Sequence, residues 1–300
     1  MYNIHMNKSD LAYKIYNNSG IGDEWPIDKK VLARYLFDEI EVGVNFITYE
    51  EIGCVVVKSQ EDRASITFIA VEKEFQGKGV GKKLLEETER ECRDRGIDTL
   101  YIGHKIGSYL WPGAPSKSDS HKFFRSQGFE SRPDPYAWDL VLDLADFENE
   151  EDYDSDINKK GYKMGFLKEG DTQELLKFEE ENFGFWYDWY STLISKGRIE
   201  RILSVKNSND EIVGATALSW GDYKFQKLLD GVVGYGSMLG VRESDRKNGV
   251  GQALKLKGME VLKNNGVETV VVQYTTVPEF YKKLGFKEWK KYHMLQKRLG

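Results

Sequence analysis

Two short stretches of this 300-residue chain carry glycines at spacings that let a backbone close around an anion. The first is Gln76, Gly77, Lys78, Gly79, Val80 and Gly81; the second is Arg246, Lys247, Asn248, Gly249, Val250 and Gly251. Each follows an apolar run that ends in valine, Val71 or Val241, and each leads into a helix-like pattern. A turn that runs straight into a helix presents backbone N–H groups with no intrahelical partner, and their partial positive charge attracts anions. Glycine permits positive φ and lets the backbone approach a phosphate without a Cβ in the way. Lys78, Lys82 and Lys83 in the first copy, and Arg246 and Lys247 in the second, add cationic charge. A diphosphate fits such a turn. The phosphate loop of nucleotide hydrolases does not match, because Gly81-Lys82 is followed by Lys83 rather than Ser or Thr. The dinucleotide fingerprint lacks its third glycine.

The elements that must position these turns repeat as well. From Val71 to Gly96 the chain aligns without a gap on Val241 to Gly266, and Thr99–Ile102 aligns on Thr269–Val272. A further block, Phe124 to Phe129, matches Tyr281 to Phe286, with extra residues of the first half falling in the Gly- and Pro-rich loop between Gly103 and Ser120. Such self-similarity decides architecture before any local reading does. Strands are expected at 66–71 and 232–241, helices at 80–95 and 250–265, and returning strands at 99–102 and 269–272. Helices near 28–40, 171–182 and 278–284 and hairpins at 44–57 and 199–219 complete a mixed α/β order. Residues 143–156 hold eight acidic residues and no basic one, which reads as a linker. Domains are therefore expected at 1–146 and 157–300.

Composition narrows the functional classes. The chain is 40% hydrophobic and 31% charged with net charge −6, which disfavours a phosphate-tracking nucleic-acid binder. No segment has the length and apolarity of a membrane span. Two cysteines, Cys54 and Cys92, suit a reducing cytoplasm. Histidines stand singly at 5, 104, 121 and 293, without the spacing of a metal site.

The pattern Gln/Arg-x-x-Gly-x-Gly after a strand ending in Val is similar to the coenzyme A signature of the GCN5-related N-acetyltransferase family, and both halves resemble it. The resemblance implies two tandem domains, each a mixed, splayed sheet flanked by helices, with acetyl-coenzyme A as cofactor. It implies backbone contacts to the pantetheine arm at Ile69 and Val71 and at Leu239 and Val241, and pyrophosphate contacts from Gln76 to Gly81 and from Arg246 to Gly251. The family commonly places an acidic tyrosine four residues before a Gly-Phe pair. Tyr281 holds that place in the second half and Phe124 in the first. The resemblance thus implies a catalytic C-terminal domain with Tyr281 as general acid, and an N-terminal domain that binds cofactor or shapes the substrate site. No general base stands out: Asp222, Asp230 and Glu268 lie near strand ends and read as surface carboxylates. His104, His121 and Tyr109 around the inserted loop leave open a site in the first half. The aromatic run from Phe183 to Tyr190 reads as core or domain interface rather than a binding platform; facing the cleft, it would suit stacking against sugar rings or covering an acceptor.

The two-domain layout also resembles bacterial acetyltransferases acting on glucosamine or glucosaminides. An amino sugar is the leading acceptor; aminoglycosides, polyamines and protein lysine or N-terminal amines remain. The rival from another class is an acyl-CoA sensor without turnover.

Overall fold

The computed structural model describes residues 6–37, 42–104, 106–147 and 152–300. His5, the last residues of the helix expected at 28–40 and residues 148–151 of the acidic stretch lie outside them. Contacts divide the chain into two units, neither of them continuous in sequence. One comprises Met1–Asp139, Tyr274–Pro278 and Glu288–Gly300; the other comprises Leu140–Gln273 and Glu279–Lys287.

In the first unit, Gly43–Tyr49, Gly53–Gln60 and Arg63–Val71 form an antiparallel meander. The middle strand is buried from Gly53 to Ser59, as its unbroken apolar start requires. Thr99–Ile102 lies parallel to Arg63–Ile66. Its other neighbour is the final strand of the chain, Lys287–Arg298, paired antiparallel from Gln296 opposite Tyr101 to Arg298 opposite Thr99. Next in order comes strand Glu130–Asp143, whose residues up to Asp139 belong to this unit. Helix Val80–Asp94 turns Val80, Leu84, Leu85, Thr88 and Cys92 inward, at the three- and four-residue spacing of an amphipathic helix. It stops at Gly96 (φ +72°), whose N–H bonds Arg93 O at 2.9 Å while the Ile97 N–H reaches back to Cys92 O at 2.9 Å. That bond pair closes a helix on a left-handed glycine. Leu84 and Leu85 share a core with Ile66, Leu100 and Phe124, and with Leu295 and Leu299 of the final strand.

The second unit repeats the pattern. Lys163–Phe166, Ile202–Lys206, Ile212–Trp220 and Val233–Val241 are antiparallel neighbours, and Thr269–Thr275 runs parallel to Val233–Tyr235. Helix Val250–Asn264 ends at Gly266 (φ +77°) with the same pair of closing bonds, to Lys263 O and Leu262 O. The parallel registers also correspond: Arg63 faces Thr99 and Val233 faces Thr269. The sequence repeat is a structural one.

The end of the acidic stretch read as linker forms a helix. Asp152 accepts the Ser155 N–H at 3.1 Å and starts helix Tyr153–Asn158, which buries Tyr153 and Ile157. Carboxylates at a helix start are favoured by the exposed N–H groups there, so one acidic composition serves both solvation and capping. Tyr190 and Phe183 join a core cluster, whereas Trp189 is exposed. Among the described residues no helix is long and apolar enough to cross a membrane, and no group of His, Cys, Asp and Glu is placed to hold a metal. Cys54 and Cys92 are buried free thiols.

Helix Thr172–Phe183 carries Glu179, fully buried, with neither carboxylate oxygen hydrogen-bonded to a described residue. Burial pushes its carboxyl up to about 8 from 4.5. The folded protein thus holds a proton that the unfolded chain releases above pH 4.5, and stability falls as pH rises towards 8, by about 1.4 kcal/mol per pH unit. Glu179→Gln removes this term. Melting temperatures measured between pH 5 and 8 should show the variant's advantage widening with pH; a gap independent of pH refutes the assignment.

Candidate active site

Each glycine-rich turn is built the same way. Lys73–Phe75 and Glu243–Asp245 make one 3₁₀ turn after the strand, and Gly79 (φ +86°) and Gly249 (φ +91°) stand at the N-caps of the long helices. Intrahelical bonding begins with Lys83 N–H to Gly79 O and Ala253 N–H to Gly249 O, which leaves the N–H groups before them available. A Cβ placed on Gly77 or Gly79 would meet nothing within 4 Å. Glycine serves the backbone angle there, and the side facing an incoming phosphate is open. Gly81 is crowded instead: a Cβ would lie 3.2 Å from the Phe123 ring.

The Gln76 and Arg246 side chains brace the turns. Gln76 Nε2 donates to Val71 O at 2.9 Å and to Ser19 O at 3.0 Å; Arg246 Nε donates to Val241 O at 3.0 Å. Both therefore tie the turn to the end of the preceding strand while their backbones stay in the turn. Lys83 donates to the Tyr49 hydroxyl at 2.7 Å and Lys82 pairs with Glu86. In the second copy Asp245 is buried and accepts from Arg242 Nε (2.7 Å), Ser244 Oγ (2.8 Å) and Tyr162 Oη (3.0 Å). Burial opposes its charge, but these donors outweigh it and hold the carboxyl below its usual range. Asn248 Nδ2 donates to Tyr162 Oη and Asp245 O. Lys160 Nζ donates to Asn248 O at 3.0 Å and lies 4.0 Å from where a Gly249 Cβ would be. Sequence reasoning misses this cation beside the second turn; its only signal is the basic pair Lys159-Lys160 straight after the acidic stretch.

Beside each turn the sheet opens. Arg63–Val71 pairs with Thr99–Ile102 only as far as Ile66, and Val233–Val241 pairs with Thr269–Thr275 only as far as Tyr235. The backbone of 67–71, with Ile69 and Val71, and of 236–241, with Leu239 and Val241, is left without that neighbour. An irregularity between Ser237 and Gly240, with Met238 at φ +55°, bends the second strand further. Tyr190 Oη donates to Met238 O at 2.9 Å, and the Phe183 ring occupies the space a Gly240 Cβ would need. An extended ligand arm with amide groups can pair with such a half-free strand, as a further strand would.

Helix Pro278–Lys282 carries Tyr281 on the second unit. It closes through Phe286 N–H to Tyr281 O and a left-handed Gly285; Phe129 N–H to Phe124 O and Gly128 repeat this in the first unit. The matched side chains differ. Phe124 is buried among Phe123, Phe129 and Leu85. Tyr281 is half-buried, its hydroxyl donates no hydrogen bond to a described residue, and burial pushes its phenol up to about 12. It stays protonated across the whole working range of pH.

The residues around the inserted loop do not form one group. His104 meets Tyr109 and Tyr274 (ring centroids 4.8 and 4.3 Å apart), whereas His121 stacks on His293 at 4.2 Å. Asp139 in the same unit accepts the Tyr274 N–H and the Tyr292 hydroxyl. Asp222, Asp230 and Glu268 are exposed.

The sequence profile of the family described as Acetyltransferase (GNAT) domain matches residues 43–131 and 199–288, more than half of the chain. The chain belongs to that family: it is an acetyltransferase with two GNAT domains, and acetyl-coenzyme A is its cofactor. The open glycine turns and half-free strands fit the pyrophosphate and pantetheine of that molecule.

Among solved structures, the fold is similar to a GCN5-related glucosamine N-acetyltransferase region of a fungal multi-domain β-N-acetylglucosaminidase (21% identity, TM-score 0.87, 98% of this chain). The chain spans 37% of that protein's length. It is also similar to a GCN5-related N-acetyltransferase from Sphaerobacter thermophilus (17% identity, TM-score 0.71, 97% of this chain and 93% of that one). A tandem GNAT protein from the clavulanic acid biosynthesis pathway is similar too (13%, TM-score 0.66, 97% and 95%). No curated protein sequence matches the chain.

Proposed function

We propose that the protein transfers the acetyl group of acetyl-CoA to the primary amine of a small molecule, an amino sugar of the glucosamine or glucosaminide type, and that its C-terminal GNAT domain does so. The observation that carries this reading is the difference between Tyr281 and Phe124 at matching places of two otherwise matching domains. When bound, acetyl-CoA supplies the acetyl group as a thioester. The turn Arg246–Gly251 holds its pyrophosphate, and the half-free backbone of Leu239 and Val241 aligns its arm. Tyr281 Oη delivers its proton to the departing sulfur. The N-terminal domain, with its own turn Gln76–Gly81 and backbone at Ile69 and Val71, binds cofactor or shapes the acceptor site without an acid of its own. The amino-sugar choice is supported by the likeness to the fungal glucosamine N-acetyltransferase region. A cytoplasmic location is supported by the two free buried thiols.

The test is thiol release from acetyl-CoA with glucosamine, a glucosaminide, an aminoglycoside, a polyamine and a lysine peptide as acceptors. The expected result is a kcat/KM at least tenfold higher for the amino sugars. Binding of acetyl-CoA by calorimetry with no acceptor acetylated sinks the enzyme reading and leaves a sensor.

A further inference from the structure

Helix Val250–Asn264 carries a lysine where a lysine is costly. Lys255 is 4% exposed and makes no hydrogen bond or ion pair with a described residue. Its Nζ lies over two rings, 4.9 Å from the centroid of Phe286 and 5.6 Å from that of Tyr281. A Cβ on Gly236 would stand 3.5 Å from this nitrogen and 3.7 Å from Thr216 Oγ1. Gly236 is the first residue beyond the last paired position, Tyr235 opposite Val271. The amine therefore sits at the fork where the two strands part, and the missing side chain leaves room in front of it.

The first domain acts as an internal control. In the gap-free alignment Lys255 falls on Leu85, and the shared strand register sets Gly236 on Ile66. Leu85 and Ile66 are packed in one core with Phe124. Three apolar side chains in one copy are thus glycine, lysine and tyrosine in the other. No packing demand accounts for that exchange, because the same fold fills the same space with hydrocarbon.

We propose that Lys255 Nζ accepts the proton that the acceptor's ammonium group must lose before its nitrogen can attack. This rests on the acetyl-transfer reading of the C-terminal domain. One N–H bond of the ammonium breaks, its electron pair stays on nitrogen, and the proton joins the lone pair of Lys255. The freed amine then forms its N–C bond as the C–S bond breaks, and the sulfur takes the proton of Tyr281. The phenolate takes the second proton from the acylated nitrogen, and Lys255 returns its proton to solvent. Charging Lys255 beside the Tyr281 ring also favours phenolate, so the first transfer assists the second.

The electrostatics agree with this role. Burial alone pushes the Lys255 amine down to about 7; no carboxylate contributes. The rings over it are those of Phe286 and, from the neighbouring short helix, of Tyr281, and the backbone it faces at Gly236 carries no side chain. A lysine poised near neutrality is suited to proton transfer.

Lys255→Met and Lys255→Arg test the proposal by two readouts. In turnover, both should lose roughly a hundredfold in kcat/KM with acetyl-CoA affinity kept, and the acid limb of the wild-type pH profile near 7 should vanish. In cofactor-free protein, Lys255→Met should melt higher than wild type below pH 7, and the gap should close between pH 7 and 10.5. The sign follows from the folded amine's lowered affinity for a proton, which costs stability wherever the unfolded lysine is charged. An unchanged pH profile in an active Lys255→Met overturns the proposal, as does a melting gap that ignores pH. Acetylation of Lys255 itself on incubation with acetyl-CoA, read by intact mass, also overturns it. Wild type inactive on every amine instead removes the underlying functional reading, a failure that the melting series tells apart.

Discussion

Tyr281→Phe should lower kcat roughly a hundred- to a thousandfold, the range of a lost general acid, while the dissociation constant of acetyl-CoA changes less than threefold. The change deletes one hydroxyl that bonds to no described residue, so packing against Phe280 and Phe286 is kept. It also recreates the side chain that the N-terminal domain carries at Phe124. Steady-state thiol release and calorimetry on the same preparation separate the two quantities. If turnover persists at the wild-type level, acid catalysis does not pass through Tyr281, and the reaction centre moves to the first domain.

Gly249→Val should raise the dissociation constant for acetyl-CoA by about ten- to a hundredfold. Space is not the obstacle: a Cβ there would lie 3.8 Å from Ile157, an ordinary contact. The obstacle is φ +91°, a left-handed angle that costs a β-branched residue on the order of 1–2 kcal/mol. Relaxing it swings the N–H groups off the pyrophosphate, and each charge-assisted bond lost is worth about 1.5–3 kcal/mol. Gly79→Val (φ +86°) makes the same change in the first domain. Calorimetric stoichiometry of the two variants counts the sites. Loss of one site in each variant means both turns hold cofactor; an unaffected Gly79→Val confines binding to the second.

What is legible in the chain depends on what each feature needs. The turns are legible because glycine pairs at a fixed offset from a strand end meet few structural needs besides an anion-binding turn, and a second copy repeats the spacing. The Tyr281–Phe124 difference is legible because the adjoining Gly-Phe pair fixes the register. Lys255 is not. It lies in Lys-Leu-Lys within a helix, a pattern that reads as a solvated stripe, and its burial depends on a glycine in another strand. The bracing by Gln76 and Arg246 is hidden for a similar reason, since residue type alone suggests a hand for phosphate. The membership of the last strand is hidden most completely. Strands Glu130–Asp143 and Lys287–Arg298 follow equivalent helices, and nothing in their alternation says which partner each will find.

That last strand has a consequence for the order of synthesis. In the N-terminal unit, Lys287–Arg298 fills the place between Thr99–Ile102 and Glu130–Asp143, and Leu295 and Leu299 complete the core around Leu84 and Leu100. A nascent chain that has emerged only as far as Asp143 holds every other strand of that unit's main sheet order but lacks this one. The first unit must wait for residues translated after every strand of the second, so a ribosome that stalls between Asp143 and Lys287 strands the first half with an open sheet edge.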